Sequence, residues 1–302
     1  MHNTTRFNPS SIAISTITSY PKWYRGKLRS FRHTDKIRGD LAIELAQKAR
    51  DIGYQIVIAD SKSTRTFRRD LKKILGVILI RRRSEKRSPS KRQALRKALH
   101  LPGVKVIILT EPEKVSLVQD CIPLIAKPIL NGEADIVVPK RNDELFKKTY
   151  PSYQYESEIE ANKTYSEELK SHKLIHIDDE DLDMFFGPRA FSNTKQIISL
   201  FMKRYGFSIA HASFPKWYFD VEQYSNTSFF PIVAGLKKGI KIKSVEVPFK
   251  YPYIQKQNEE RGSRELFLEK RKAQQIELII ELLHFVAFLE KYHGTRVKTI
   301  YK

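Results

Sequence analysis

From Ser11 onward, short runs of β-branched and aliphatic residues alternate with longer stretches whose apolar residues recur three or four apart. That alternation commits the chain to an α/β sheet with crossover helices. The strand-like runs fall at residues 11–15, 55–59, 77–80, 104–109, 134–139 and 240–247. Between them, Leu41, Leu45 and Ala49 mark a helix over 39–52 that Gly53 closes. A basic helix is expected over 66–75, and a short one over 91–100 turns Ala94, Leu95, Ala98 and Leu99 inward. Another runs from about 111 to 130, broken or kinked by Pro123 and Pro128. Residues 193–204 and a stretch ending at 239 read as further helices, and a long amphipathic one begins at 265.

At 302 residues with 41% apolar content the chain can bury a substantial core, so one large domain over 11–264 is expected. Residues 1–10 are expected to be disordered, and 265–302 to form a C-terminal helix and tail. Residues 140–175 are polar, rich in tyrosine and without clean periodicity, which predicts an inserted loop or lid.

The formal net charge of +21 calls for an anionic partner: phosphates, nucleic acid or anionic lipid. The excess is local, because residues 62–97 carry fifteen Lys or Arg against Asp70 and Glu85. The lone Cys121 excludes an internal disulfide framework, and no Cys/His spacing resembles a zinc site, so a reducing compartment is expected. Residues 1–10 hold no apolar signal core, and no run approaches the roughly 18–20 apolar residues of a membrane span. The expected location is cytoplasmic, either soluble or peripheral on a membrane surface. Nothing in the sequence speaks to the oligomeric state.

Where the fourth strand-like run ends stands Thr110-Glu-Pro-Glu113. Thr-x-x-Glu is a capping box, proline suits a first helical turn, and acids there complement the helix dipole. Ligands of open α/β sheets, however, gather at the carboxyl ends of strands, and two glutamates on a short turn suit a hard cation. Both readings stand. The run Arg81 to Arg87 also follows a strand end, where Arg83, Lys86 and Lys91 could meet a donor phosphate or an anionic acceptor; Arg68 and Lys72 read as surface.

Taken in order, residues 11–253 resemble the catalytic domain of GT-A glycosyltransferases, above all the family of polyprenyl-phosphate sugar transferases and glucosyl-phosphoglycerate synthases. Ile56-Val-Ile-Ala-Asp-Ser-Lys-Ser-Thr64 is similar to the family's nucleotide-binding strand end, with Lys62 where a glycine is usual. Ser88-Pro-Ser-Lys-Arg-Gln-Ala-Leu-Arg96 resembles its basic helix start, and Glu111-Pro-Glu113 falls at its Asp-x-Asp. Ala134-Asp-Ile-Val-Val-Pro-Lys-Arg141 and Phe186-Gly-Pro-Arg-Ala-Phe191 resemble its next strand and its acceptor-side segment.

The resemblance implies a Rossmann-like GT-A single domain with a mixed, mostly parallel central sheet and flanking helices. It also implies transfer of a hexose from a UDP- or GDP-linked sugar, assisted by Mg²⁺ or Mn²⁺. Asp60 would meet the nucleotide, Lys91 and Arg92 the diphosphate, Glu111 and Glu113 the metal. Arg189 would stand by the substrates, and Asp220 or Glu222 would act as general base. An acceptor that is phosphorylated or lipid-linked would suit the basic charge. His211 reads as a structural histidine more readily than as a further metal ligand, and Trp217 and Tyr218 as core more readily than as acceptor pocket. The rival class is a protein of the same fold that binds polyanions without catalysis. A nucleotidyltransferase ranks last, because Thr16-Ile-Thr-Ser-Tyr-Pro21 stands where its glycine-rich loop would be.

Overall fold

The strand-like runs are apolar at successive positions, which suits strands covered on both faces. The computed structural model describes residues 7–206, 220–262 and 264–291 and places seven strands in one sheet. They are β1 (Ile12–Thr18), β2 (Gln55–Asp60), β3 (Val77–Arg81), β4 (Val106–Leu109), β5 (Ile136–Arg141), β6 (Arg189–Ser192) and β7 (Ile242–Val247). Their order is β3-β2-β1-β4-β6-β5-β7. Only β6 runs against its neighbours, so the sheet is mixed and mostly parallel, as expected.

The helices in chain order are α1 (Thr34–Ile52), α2 (Arg65–Lys73), α3 (Arg87–Leu99), α4 (Ile122–Leu130), α5 (Asp143–Thr149), α6 (Ser152–Ser171), α7 (Lys195–Met202), α8 (Ser225–Ser228), α9 (Phe230–Lys237), α10 (Tyr253–Gln257) and α11 (Arg264–Lys291). Side chains alternate across the sheet. Ile12, Ile14, Ile56, Ile58, Val106 and Ile108 pack toward α1 and α4. Ala13, Val57, Ala59, Ile107 and Leu109 share the opposite core with α3, α7, α9 and α11. Gly53, at φ +99°, ends α1 in the left-handed conformation, and its N–H returns to Ala49 and Arg50.

Two of the expected segments are built differently, and the expected C-terminal helix is present as α11. Residues 7–10 belong to the fold: the Asn8 side chain caps a short 3₁₀ turn at Pro9–Ser11. The expected lid at 140–175 is the end of β5 followed by α5 and α6, and the buried face of α6 mixes polar residues (Gln154, Glu158, Asn162, Ser166) with Ala161, Tyr165 and Leu169. The C-terminal helix is part of the same unit. Leu278, Leu282, Phe285 and Val286 enter the second core, while Arg271 pairs with Glu158 on α6 at 3.0 Å. Among the described residues no helix is long and apolar enough to cross a membrane.

The seat of α11 makes a pH-dependent prediction. Glu281 is 3% exposed and accepts a hydrogen bond from the Ser225 hydroxyl. Burial, then the carboxylates of Glu277 and Asp220, push it from its ordinary 4.5 up to about 8. The folded chain therefore holds a proton that the unfolded chain releases above pH 4.5. Its stabilising contribution is complete below that pH and is lost as the pH rises toward 8, by about 1.4 kcal/mol for each pH unit climbed. Glu281→Gln should raise the melting temperature near pH 8.5 and leave it almost unchanged near pH 4, as thermal unfolding at the two pH values will show.

Candidate functional site

The chain leaves β1 toward β2 on one side and returns as β4 on the other, so β1 and β4 flank a topological switch point. A crevice is expected beyond the carboxyl ends of such strands. There the structure has a cleft of about 500 Å³, a size suited to a small-molecule ligand. Its floor comes from Ile17–Tyr20 after β1 and Thr110–Lys114 after β4. Because β6 is reversed, the segment entering it, Met184–Gly187, reaches the same rim. The N-terminal half of α11 forms the roof with Phe267, Lys270, Arg271 and Gln274.

Thr110-Glu-Pro-Glu113 is neither strand nor helix. No helix begins at Glu111, and the Thr110 hydroxyl donates to the Glu111 carbonyl at 3.3 Å, so the capping box does not form. The two glutamates diverge. Glu111 lines the cleft, and its buried Oε2 has no hydrogen-bond partner among the described residues. A Cβ on Gly187, which sits at φ +98°, would come within 2.8 Å of Glu111 Oε1, so only glycine leaves this carboxylate its place. Burial works to raise the Glu111 pKa, but Lys114, Lys91 and Arg189 outweigh it and hold the carboxyl below its ordinary value. Glu113 turns toward α1, accepting from the Tyr20 hydroxyl at 3.3 Å with Arg38 Nε 3.8 Å away.

The donor set suits Mg²⁺ or Mn²⁺ only in part. Among the described residues no three His, Cys, Asp or Glu converge to hold an ion. One ionised, unpartnered carboxylate, Glu111, fits the manner in which Mg²⁺ sits on one or two carboxylates and takes its other ligands from water and substrate phosphates. Glu113, facing a guanidinium, does not fit as the second ligand.

Cations dominate the lining. Lys91 is buried and donates to Ser228 Oγ at 2.9 Å, and burial lowers its pKa against the pull of Glu111. Lys114 lies 4.7 Å from the Phe186 ring centre, likewise lowered by burial. Arg87 lies over the Tyr224 ring at 4.6 Å. None of the three has a carboxylate partner within 4.0 Å among the described residues. An unpaired buried charge such as that of Lys91 is costly, and perturbed charged groups cluster where a ligand completes them.

Several residues expected at the site lie elsewhere. Asp60, 2% exposed, is absent from the lining: it accepts from Thr18 Oγ1 at 2.8 Å and from the Ser63 hydroxyl, tying the ends of β1 and β2 together. Arg83 is exposed, and Lys86 reaches Asp220 at 3.2 Å outside the cleft; Arg82 and Arg87 line it instead. Arg92 pairs with Glu222 at 2.6 Å, with Arg204 on that carboxylate's other oxygen, which removes Arg92 from a diphosphate and Glu222 from catalysis. Asp220 is engaged by Lys86 and Gln223, also off the lining. Arg189 is fully buried, its guanidinium bonded to the carbonyls of Ser228, Pro188 and Met184; burial pushes it down to about 10. It shapes the segment that carries Gly187 rather than meeting a ligand. His211, Trp217 and Tyr218 lie outside the described residues.

Sequence reasoning missed Arg38, Lys114, Arg141, Glu158, Lys270 and Arg271, all of which line the cleft. For Arg141 a signal existed, since it ends β5 at the same rim as Glu111.

No family model matches the chain, and no curated protein does. Among solved structures it is similar to glucosyl-3-phosphoglycerate synthase from Mycobacterium tuberculosis, at 14% identity over 92% of this chain and 81% of that one, TM-score 0.48. A complex of that synthase with Mn²⁺, UDP-glucose and phosphoglyceric acid matches at 10% identity, over 92% and 80%, TM-score 0.46. The 4-diphosphocytidyl-2C-methyl-D-erythritol synthase of Anaerococcus prevotii DSM 20548 matches at 13% identity, over 94% and 100%, TM-score 0.41.

Proposed function

We propose that the chain is a glycosyltransferase that moves a sugar from a nucleoside-diphosphate sugar to an acceptor hydroxyl. The observation that carries this is the Glu111 carboxylate, whose buried oxygen has no partner among the described residues, beside Lys91, Lys114 and Arg87, which have no carboxylate within 4.0 Å among them, at the switch point of a mostly parallel sheet. The diphosphate lies against Lys91, Lys114 and Arg87, whose charges stabilise the negative charge gathered on the departing nucleoside diphosphate. Glu111 would hold Mg²⁺ or Mn²⁺, an ion that supplies further neutralisation of the leaving group.

The acceptor oxygen bonds to the anomeric carbon as the bond to the diphosphate oxygen breaks, and the acceptor proton passes to a carboxylate. Glu158 cannot serve, because Arg141, Arg271 and Gln154 occupy its oxygens. Glu113, with its two longer contacts, is the proton acceptor this geometry supports.

Isothermal titration with a panel of UDP- and GDP-sugars, in Mn²⁺ and in EDTA, tests the reading. Binding of at least one donor, strengthened by the metal and abolished by Glu111→Lys, is expected. No donor bound, together with polyanion binding that weakens steeply with salt whatever the nucleotide, would move the protein to the binding-only class.

A further inference from the structure

Helix α11 is apolar on two sides, and the fold uses one of them. Leu278, Leu282, Phe285 and Val286 enter the second core. The opposite side carries another apolar row: Leu266, Ala273, Ile276, Ile280, Leu283 and Ala287. In that row Leu266 is 70% exposed, Ile276 61% and Leu283 40%. Ala273 and Ala287 are exposed as well, and Ile280 is half-buried. A helix that is apolar all round is ordinarily covered all round, and an exposed apolar row of this extent marks a contact surface.

The spacing of the row says what covers it. Successive steps of seven, three, four, three and four residues put it at the a and d positions of a heptad repeat, a seam about 32 Å long that fits a second helix with the same repeat. Two exposed acids, Glu269 and Glu290, fill the remaining d positions. Carboxylates in line with the row disfavour an anionic bilayer, which calls for Lys and Arg beside an apolar face. They also fix the direction of pairing. In parallel, two copies would press Glu269 on Glu269 and Glu290 on Glu290; antiparallel, these acids oppose Ala287 and Leu266 of the other copy. Antiparallel pairing also sets Ile276 against Ile280 and small Ala273 against large Leu283.

We propose that the outward face of α11 is a homodimer interface, where two copies of the chain pair these helices antiparallel about a two-fold axis at the level of Leu278. The contact lies on the back of the cleft's roof. The C-terminal half of one α11, seated in its own core, braces the N-terminal half of the other, which carries Phe267, Lys270, Arg271 and Gln274 over the cleft. The pairing does not depend on the transferase reading.

Sedimentation equilibrium of the full chain at tens of micromolar should return twice the mass of one copy. Ile276→Glu, a change at an exposed position, should keep the circular dichroism of the wild type and weaken association by at least about 30-fold, the loss expected of a central interface residue. Cross-linking reads the direction. Chains with Ile276→Cys mixed with chains with Ile280→Cys should join through a disulfide on oxidation, while neither joins with itself; Cys121, being buried, stays out of the exchange. A wild type that sediments as a single copy at those concentrations overturns the proposal, and so does a dimer that survives Ile276→Glu. Cross-linking of Ile276→Cys with itself overturns the antiparallel pairing. A single copy that floats with vesicles of phosphatidylglycerol, and loses this with Ile276→Glu, overturns the dimer and assigns the face to lipid.

Discussion

Arg141→Met should lower the unfolding free energy by about 3–5 kcal/mol at neutral pH, the cost of breaking a buried ion pair from one side. The guanidinium has almost no exposed surface. It donates from Nε and Nη2 to the two oxygens of Asp183 at 2.8 and 2.6 Å, and from Nη1 to Glu158 at 2.5 Å. The Phe146 ring centre lies 3.6 Å away. Methionine fills most of the volume but leaves buried Asp183 without a cation among the described residues, while Glu158 keeps Arg271 and Gln154. Burial works to raise the Asp183 pKa, and Arg141 overrides it and holds the carboxyl below its ordinary 3.8. In the wild type that depressed value contributes stability above pH 3.8, lost as the pH falls through the folded value. The deficit of the variant should therefore shrink on acidification, as the Asp183 carboxylate takes up a proton. Urea unfolding at pH 7 and near pH 4 reads both effects, and an equal deficit at the two would mean that packing against Phe146, not charge, is what the arginine supplies.

Lys114→Met should do the opposite. Its ammonium has no carboxylate within 4.0 Å among the described residues, and its surroundings disfavour the charge by burial. Exchange for a flexible apolar side chain of similar length should leave the melting temperature unchanged or higher. Sugar transfer should fall by about 10²–10³-fold, the loss typical when a group aimed at developing charge is removed. A lower melting temperature with turnover preserved would make Lys114 a structural residue. The two cations stand on one rim, and their contrast separates a charge held for the fold from one held for a ligand.

The strands were legible because most are runs of aliphatic and β-branched residues: the expected runs coincide with β2, β3, β4, β5 and β7 within two residues, and β1 runs three residues beyond its own. Helix α6 was not, because its inward face interleaves Gln154, Glu158 and Asn162 with the apolar row Ala161, Tyr165 and Leu169, which blurs the usual apolar stripe. The spacing of four between those polar residues was the available clue. Glu111 could be read from its place after β4. Asp60 shows the limit of that argument: it too ends a strand at the rim, yet the hydroxyls of Thr18 and Ser63 absorb its carboxylate. In the arginine run after β3, which side chain enters the cleft depends on the path of the loop. Arg82 turns back to the carbonyls of Ser84 and Glu85, and the helix start carries Arg87 inward, so Arg83 is left outside. Lys270 and Arg271 sit more than 150 residues beyond Glu111, and no local pattern announces that they line the same cleft.

The roof over the cleft has a consequence for the order of events on the ribosome. Every strand among the described residues has been made once Val247 is polymerised, so the sheet can assemble, and Lys91, Glu111 and Lys114 can gather, before α11 has emerged. A nascent chain at that stage offers one end of the cavity to solvent, with Glu158 still lacking Arg271. Among the described residues, the wall formed by Phe267, Lys270, Arg271 and Gln274 is thus the last part of the cleft to be synthesised.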